Sequence, residues 1–591
     1  MGNIKDKRAA LSTVLGEVKE YKAASFITPL MMLGEVVVET LVPFLMASII
    51  DDGVNKGNMN HIFAIGGLML LLALLGLFFG IMGGHFGAKA STGLARNLRR
   101  KMFANIQTYS FSNIDKYSSS GLVTRLTTDV TNVQNAYQML LRMFVRAPAS
   151  MLVAMVMAFL ISSEIASVYL VAVIFLAIVI FFIMRRATAY FQKVFKQYDA
   201  LNESVQENVN AIRVVKAYVR EEYENDKFAK AAEKVYSLFV RAEKNIIINM
   251  PLMMGTVYVV MLAISWLGAH LIVQSRLTTG ELSSLLTYCM SILMSLMMVA
   301  MVFVMVSMST ASMERIAEVI NEETDIKNPE DGVKEVPDGR VDFDDVSFSY
   351  QAGSEWVLRD VDLHVKSGET IGIIGGTGSS KSSLVNLISR LYDVGEGSVK
   401  VGGIDVRKYD IPSLRRQVAV VLQKNVLFSG TIIDNLRWGK KEATREECIE
   451  ACRLACADEF IENLPDGYDT WIERGGTNVS GGQRQRLCIA RALIMSPKVL
   501  ILDDSTSAVD TATDAKIRKA MKEFLPGTTK FIIAQRISSV ESADRIIVMD
   551  EGRVSAFDTP ERLLETSRIY REVYESQAAG SGDFDMKGGE A

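Results

Sequence analysis

Six apolar stretches in the first half of this chain constrain its fold more than any other feature. They fall near residues 24–50, 61–90, 137–161, 165–187, 247–275 and 281–309, each close to the roughly 20 residues that a helix needs to cross a bilayer. Connectors near 51–60, 162–164 and 276–280 are short, whereas those near 91–136 and 188–246 are long and polar. Basic residues fix the orientation. Lys5, Lys7, Arg8, Lys19 and Lys22 precede the first stretch, Arg96, Arg99, Arg100 and Lys101 open one long connector, and Arg185 and Arg186 open the other. Short connectors carry only Lys56 and Arg276. Positive charge favours the cytoplasmic side, so both termini and both long connectors are expected there. Val205, Val209, Ile212, Val215 and Val219 keep helical spacing, so the long connectors read as helices continued beyond the bilayer. Pro43, Pro148 and Pro251 lie within the apolar stretches and are expected to kink them.

The second half has a different character. Residues 321–339, rich in Asp, Glu, Lys, Pro and Gly, read as a linker between a membrane domain over 1–320 and a soluble domain over 340–576. Val341, Phe343, Val346, Phe348 and Tyr350 open that domain in strand spacing, and residues 577–591 read as a disordered tail. A chain of 591 residues with 49% hydrophobic content suits such a division between lipid and water. Net charge is -4, which provides no basic field for nucleic acid. Met1 to Lys22 lacks the apolar core and cleavage site of a secretory signal. Cys448, Cys452 and Cys456 recur every four residues, as buried thiols along one helix face would, with no histidine or second cysteine pair to complete a metal site.

Chemistry concentrates in the soluble half. The strand-like Thr370-Ile371-Gly372-Ile373-Ile374 runs into Gly375-Gly376-Thr377-Gly378-Ser379-Ser380-Lys381-Ser382-Ser383 and then an apolar helix from Leu384. Small residues there let backbone N–H groups wrap a β-phosphate at a helix N-terminus. Lys381 neutralises β/γ oxygens, and Ser382 ligates Mg²⁺. Ser380 departs from the pattern, because glycine usually precedes the lysine; serine fits only where the backbone does not demand a glycine conformation. Two further motifs follow: Val479-Ser480-Gly481-Gly482-Gln483-Arg484-Gln485-Arg486, and the apolar run Val499-Leu500-Ile501-Leu502 ending in Asp503-Asp504.

These motifs, in this order and spacing, closely resemble the ATP-binding-cassette (ABC) ATPase family. Six spans fused ahead of one such ATPase are similar to an exporter half-transporter. The resemblance implies an all-α six-helix transmembrane domain of the type I exporter kind, followed by an α/β P-loop ABC nucleotide-binding domain. It makes Tyr350 the aromatic that stacks on adenine, Gln423 the glutamine reaching Mg²⁺ and the attacking water, and Asp503 the Mg²⁺ carboxylate. Ser507-Ala508-Val509-Asp510 becomes the dimer-contact loop, and Ser480 to Gln483 the signature offered to a partner's ATP. Gly121-Leu122-Val123-Thr124-Arg125-Leu126-Thr127-Thr128-Asp129-Val130 and Arg213-Val214-Val215-Lys216-Ala217-Tyr218 echo the family's connectors, with coupling segments expected near 111–118 and 217–224.

Two catalytic positions depart from the family. Asp504 stands where the general base is glutamate, and Gln535, in Ala534-Gln535-Arg536, stands where a histidine meets the γ-phosphate. Asp504 lies one methylene, about 1.5 Å, short. Gln535 donates a hydrogen bond but carries no cation. With Ser380 they cluster in one composite site, while the signature is spared. The chain thus resembles the degenerate-site subunit of bacterial heterodimeric multidrug exporters in the cell membrane. Its expected partner is a second half-transporter with Glu and His at these positions and an altered signature. The alternative is a homodimer hydrolysing slowly at two weakened sites.

Substrate readings remain open. Met290, Met294, Met297, Met301, Met305 and Met308 line one face of the last span, either packing against other helices or re-forming around small lipophilic ligands. Glu35 and Glu39 lie one turn apart at membrane depth, where they either attract cationic amphiphiles or pair with Arg142 and Arg146. Lipid or peptide export, or a regulatory ATP-binding subunit gating a partner, are the alternatives to multidrug export.

Overall fold

Uninterrupted apolar sequence becomes long helix in the computed structural model, which describes residues 4–351 and 353–581. Besides short helices over Ile4–Gly16 and Ser119–Thr124, the helices are, in chain order, α1 (Lys22–Ser48), α2 (Met59–Ile106), α3 (Phe111–Lys116), α4 (Val130–Met139), α5 (Val145–Ile161), α6 (Ser163–Asn210), α7 (Ile212–Ala217), α8 (Glu221–Ile246), α9 (Asn249–Val273) and α10 (Thr279–Asn321). Among the described residues, six helical stretches are long and apolar enough to cross a membrane. The chain divides into two units, Met1–Gln107 with Ser119–Glu322, and Thr108–Ser118 with Glu323–Ala591. The short helix α3 therefore folds with the second unit, although it lies between two membrane helices in sequence.

Apolar and small side chains hold the first unit together. Tyr169 of α6, Ile264 of α9 and Leu285, Tyr288 and Ile292 of α10 are buried in one cluster. Phenol groups there need acceptors, so Tyr169 donates to the Leu285 carbonyl at 2.7 Å and Tyr288 to the Thr40 carbonyl at 2.8 Å. Where α10 meets α1, a Cβ on Gly280 would run into the backbone carbonyl of Ala47, so glycine allows the close approach. At Asp129, which is 1% exposed, the Arg315 guanidinium donates twice, at 2.7 and 2.5 Å, tying the turn before α4 to α10.

The prolines act differently from one another. Pro148 lies inside α5, and a widened π-turn over Leu140–Phe144 ends four residues before it, where the missing N–H leaves a carbonyl unclaimed. Pro43 likewise lies inside α1, ahead of a π-turn over Ile49–Val54. Pro251 lies in the first turn of α9, and the break at Ile247–Ile248 between α8 and α9 falls four residues before it, where the missing N–H leaves a carbonyl unclaimed. The second long connector also differs in detail: its short helix is Ile212–Ala217, and 217–224 holds a turn at Val219 (φ +52°) and the start of α8.

The second unit is built on two sheets. Its strands are β1 (Val341–Phe348), β2 (Leu358–Val365), β3 (Thr370–Gly375), β4 (Glu396–Val401), β5 (Ile404–Asp405), β6 (Val418–Val421), β7 (Gly430–Thr431), β8 (Trp471–Ile472), β9 (Val499–Asp503), β10 (Thr529–Ile533), β11 (Arg545–Asp550) and β12 (Arg553–Asp558). An antiparallel sheet has the order β2-β1-β4-β5, and a mostly parallel sheet the order β12-β11-β3-β10-β9-β6. The central strands β9 and β10 are buried throughout, as parallel strands covered on both faces must be. Alternation assigns Val499 and Ile501 to one core and Leu500 and Leu502 to the other. The helices that matter below are α11 (Lys381–Ile388), α12 (Arg445–Leu454), α13 (Gly481–Leu493), α14 (Thr511–Phe524) and α15 (Arg568–Ser581).

Three expectations change here. Part of the 321–339 linker packs onto the domain: Val336 is fully buried and donates its N–H to Gln417 Oε1 at 3.0 Å. All three cysteines are buried, yet only Cys448 and Cys452 share α12. Cys456 lies past the helix end at φ +51°, where the chain reverses. Helix α15 runs on to Ser581, so 577–581 are helical, and 582–591 lie outside the described residues.

Candidate nucleotide site

A strand, a tight loop and a helix create the centre of the site. β3 delivers the chain into Gly376–Ser380, and α11 starts at Lys381. Gly378 has φ +85°, which glycine adopts without strain. Ser380, the residue before α11, is also left-handed, at φ +72° and ψ +23°. The backbone here does favour glycine, and serine carries about 1 kcal/mol of strain. Ser380→Gly is expected to stabilise the ATPase unit by about 1 kcal/mol, read as a higher unfolding midpoint; an unchanged or lower midpoint rejects the strain.

Lys381 donates to the carbonyls of Gly375 and Gly376 at 3.0 and 2.8 Å and to Ser379 Oγ at 3.2 Å. Burial holds its ammonium below the usual lysine range, against the opposing pull of Asp503 and Asp504. Ser382 Oγ donates to Asp503 Oδ1 at 3.0 Å. Burial pushes the Asp503 carboxyl up, and the charge of Asp504 adds to this, while the Ser382 hydrogen bond and Lys381 oppose it. Asp504 follows β9 at φ +48°, and Gln535 Nε2 donates to its Oδ2 at 2.8 Å. Burial raises Asp504 too, with hydrogen bonds from Gln535 and Gln423 working the other way.

Gly376, Gly378, Lys381, Gln423, Asp503, Asp504 and Gln535 all line one cavity of about 650 Å³, together with Gly375, Thr377, Ser380, Ser382 and Ser383. A Cβ placed on Gly376 or Gly378 would meet nothing within 4 Å, so the loop backbone opens onto this space. Two carboxylates penalised by burial, a serine hydroxyl and a lysine beside an open loop fit a divalent cation and a polyphosphate. Ser382, Asp503 and Gln423 would hold Mg²⁺, and the loop with Lys381 would hold ATP.

Other expected site residues lie elsewhere. Tyr350 is 41% exposed, outside that lining, with its hydroxyl 2.8 Å from Ser383 Oγ. Ser379 lies in the loop but is 5% exposed and does not line the cavity. Ser480 caps α13 in a reciprocal box: its Oγ accepts the Gln483 N–H at 3.2 Å and its own N–H reaches Gln483 Oε1 at 2.9 Å. Among the described residues lining the cavity, none comes from Ser480–Gln483 or is Asp510. Asp510 caps α14, accepting from the Thr513 N–H at 2.9 Å. Sequence reading missed Gln485, which is buried and accepts the Ala508 N–H at 2.9 Å, fixing the 507–510 loop against α13. A Cβ on Gly482 would lie 2.8 Å from the Ala508 carbonyl, so glycine is needed at that approach. A polar residue on a helix gave no sign of that contact.

In the membrane unit, Arg146 pairs with both acidic residues, at 3.4 Å from Glu35 and 2.9 Å from Glu39. Arg142 does not share in this; its Nε is buried without a hydrogen-bond partner. Arg146→Ala leaves two carboxylates uncompensated and is expected to destabilise the unit by about 1–2 kcal/mol. The midpoint in detergent reads this, and Glu35→Gln with Glu39→Gln added to Arg146→Ala should restore it. Met290, Met294 and Met301 are exposed on α10, Met297 packs partly into the core, and the Met308 side chain lies outside the described residues.

Comparison with known proteins agrees with this geometry. Residues 26–308 match the ABC transporter transmembrane region and residues 358–507 the ABC transporter family. The chain is 36% identical to the uncharacterized ABC transporter ATP-binding protein YfiB of Bacillus subtilis, over 97% of this chain and 99% of that protein. It is 31% identical to an ATP-dependent lipid A-core flippase of Desulfotalea psychrophila, over 82% of this chain and 84% of the relative. In fold it is similar to a bacterial Atm1-family ABC exporter solved with ATP bound, with a TM-score of 0.77 at 24% identity, covering 98% of this chain and 99% of that one. A membrane region and an ATP-binding cassette in one polypeptide, matched along nearly the full length of such a relative, make this chain a member of the ABC transporter family, a half-transporter with an exporter's fold.

Proposed function

We propose that the chain is one half of a heterodimeric, ATP-driven exporter in a bacterial cell membrane, moving lipophilic or amphipathic compounds out of the cytoplasm. The observation that carries this reading is the 2.8 Å hydrogen bond between Asp504 and Gln535. A carboxylate one methylene short of glutamate is held by a neutral amide in place of an imidazole. The bound Mg²⁺ would neutralise phosphate charge, and Lys381 and the loop N–H groups would orient the chain of phosphates. Asp504 is too short to orient water well, so ATP stays in place and is cleaved slowly. The signature on α13 is fully capped and available to the ATP of a partner, whose Glu and His would complete one competent site.

Identification of the chain that co-purifies from native membrane tests the pairing. A second half-transporter with Glu and His at the matching positions is expected; recovery of this chain alone rejects it. The exposed methionines of α10 support varied apolar cargo. Lipid export is the second reading, favoured by the relative described as a lipid A-core flippase. ATP-dependent flux in vesicles holding both subunits separates the two: lipophilic dyes move under the first reading and only labelled lipid under the second. Nucleotide binding without flux would leave a regulatory subunit.

A further inference from the structure

The short helix α3 is held in the ATPase unit by Ser112 and Asn113, which donate to Asp325 Oδ2 at 2.5 Å and to the Glu323 carbonyl at 3.1 Å, and by Tyr392, which stands four residues past α11. The Tyr392 hydroxyl donates to Asp115 Oδ2 at 2.6 Å, and its ring meets Phe111 with centroids 5.9 Å apart. Burial first, and then the Asp115 carboxylate, hold this phenol well above its usual range, so it remains a donor. On its other side Tyr392 contacts Tyr350 edge to face, with centroids 5.1 Å apart at 84°. Tyr350 in turn meets the Ser383 hydroxyl at 2.8 Å, one residue after Ser382. Tyr392 is 9% exposed whereas Tyr350 is 41% exposed, so the outer tyrosine is open to a ligand and the inner one is fixed.

We propose that Tyr392 is a positioning residue that couples the nucleobase on Tyr350 to the placement of α3, independently of the phosphates in the loop. The proposal rests on the reading of Tyr350 as the adenine-stacking aromatic. A base laid on Tyr350 restricts the ring, and an edge-to-face contact transmits that restriction because its geometry is directional. Tyr392 passes it to Asp115 through a charge-assisted hydrogen bond. Coupling is reciprocal in binding free energy. Loosening Tyr392 from Asp115 must therefore weaken a ligand that carries a base and leave alone one that does not.

Calorimetric titration of the full-length chain in lipid nanodiscs, with Mg²⁺·ATP and with Mg²⁺·tripolyphosphate, tests this. Tyr392→Phe and Asp115→Ala are each expected to weaken ATP about 5-fold and to leave tripolyphosphate within about 2-fold. Equal weakening of both ligands marks a merely structural role and overturns the proposal, as does unchanged ATP affinity. The two variants break the same bond from opposite sides, so a folding defect in one leaves the other to decide. Tyr350→Ala separates the underlying reading. If it weakens ATP selectively while the other two variants do not, Tyr350 stacks the base and only the coupling fails. If Tyr350→Ala also spares ATP, the stacking reading fails, and the coupling with it.

Discussion

Asp504→Glu combined with Gln535→His is expected to raise ATP hydrolysis by the isolated chain about 100-fold, the factor lost when a catalytic group stands about 1 Å out of place. Glutamate restores the missing methylene, and histidine restores a group able to carry charge near the γ-phosphate. Neither change should suffice alone. The two side chains are hydrogen-bonded at 2.8 Å, and groups in contact do not act additively. Asp504 also has φ +48°, a conformation aspartate tolerates better than glutamate. The single Asp504→Glu variant therefore meets backbone strain of about 1 kcal/mol before it gains anything. Steady-state phosphate release from purified chain measures all three variants. A double variant as slow as the parent would falsify the view that these two residues limit the site.

The backbone explains how far sequence could be read. Apolar runs near 20 residues and an apolar strand ending in Asp503-Asp504 are local patterns, and local patterns suffice for long helices and for β9. The P-loop was legible for the same reason: strand, loop and helix are contiguous in sequence. Contacts between distant residues were not legible. Nothing in the spacing showed that Arg146 would neutralise both Glu35 and Glu39 while Arg142 stayed apart. Nothing placed Tyr392 against Asp115, 277 positions earlier. Cys456 kept helical spacing but fell beyond the helix end, because periodicity does not reveal where a C-terminus turns left-handed. At Ser380 the sequence posed a condition that only the backbone could answer, and φ +72° answers it with strain.

The asymmetric pair proposed above would make opposite demands on two residues of this one chain. In the assembled transporter, Ser480→Ala is expected to lower ATPase activity about 100-fold or more, since losing one preorganised donor at a developing charge typically has that effect. Asp504→Asn should change it by less than about 2-fold, within the spread of a site already slow. Part of the Ser480 effect is structural. Its hydroxyl accepts the Gln483 N–H at 3.2 Å, and loss of such a cap costs about 1 kcal/mol. That alone would frustrate α13 without stopping catalysis, because the first turn stays packed: Gly482 lies against the Ala508 backbone, and Gln485 holds the same loop by the Ala508 N–H at 2.9 Å. The unfolding midpoint separates the two contributions, small for the cap and absent for the lost donor. Symmetric sites predict something else. Both substitutions would then fall on both sites, and Asp504→Asn would reduce activity as severely as Ser480→Ala. The ratio of the two residual rates is therefore the quantity that distinguishes one competent site from two weakened ones, and it requires no knowledge of what is transported.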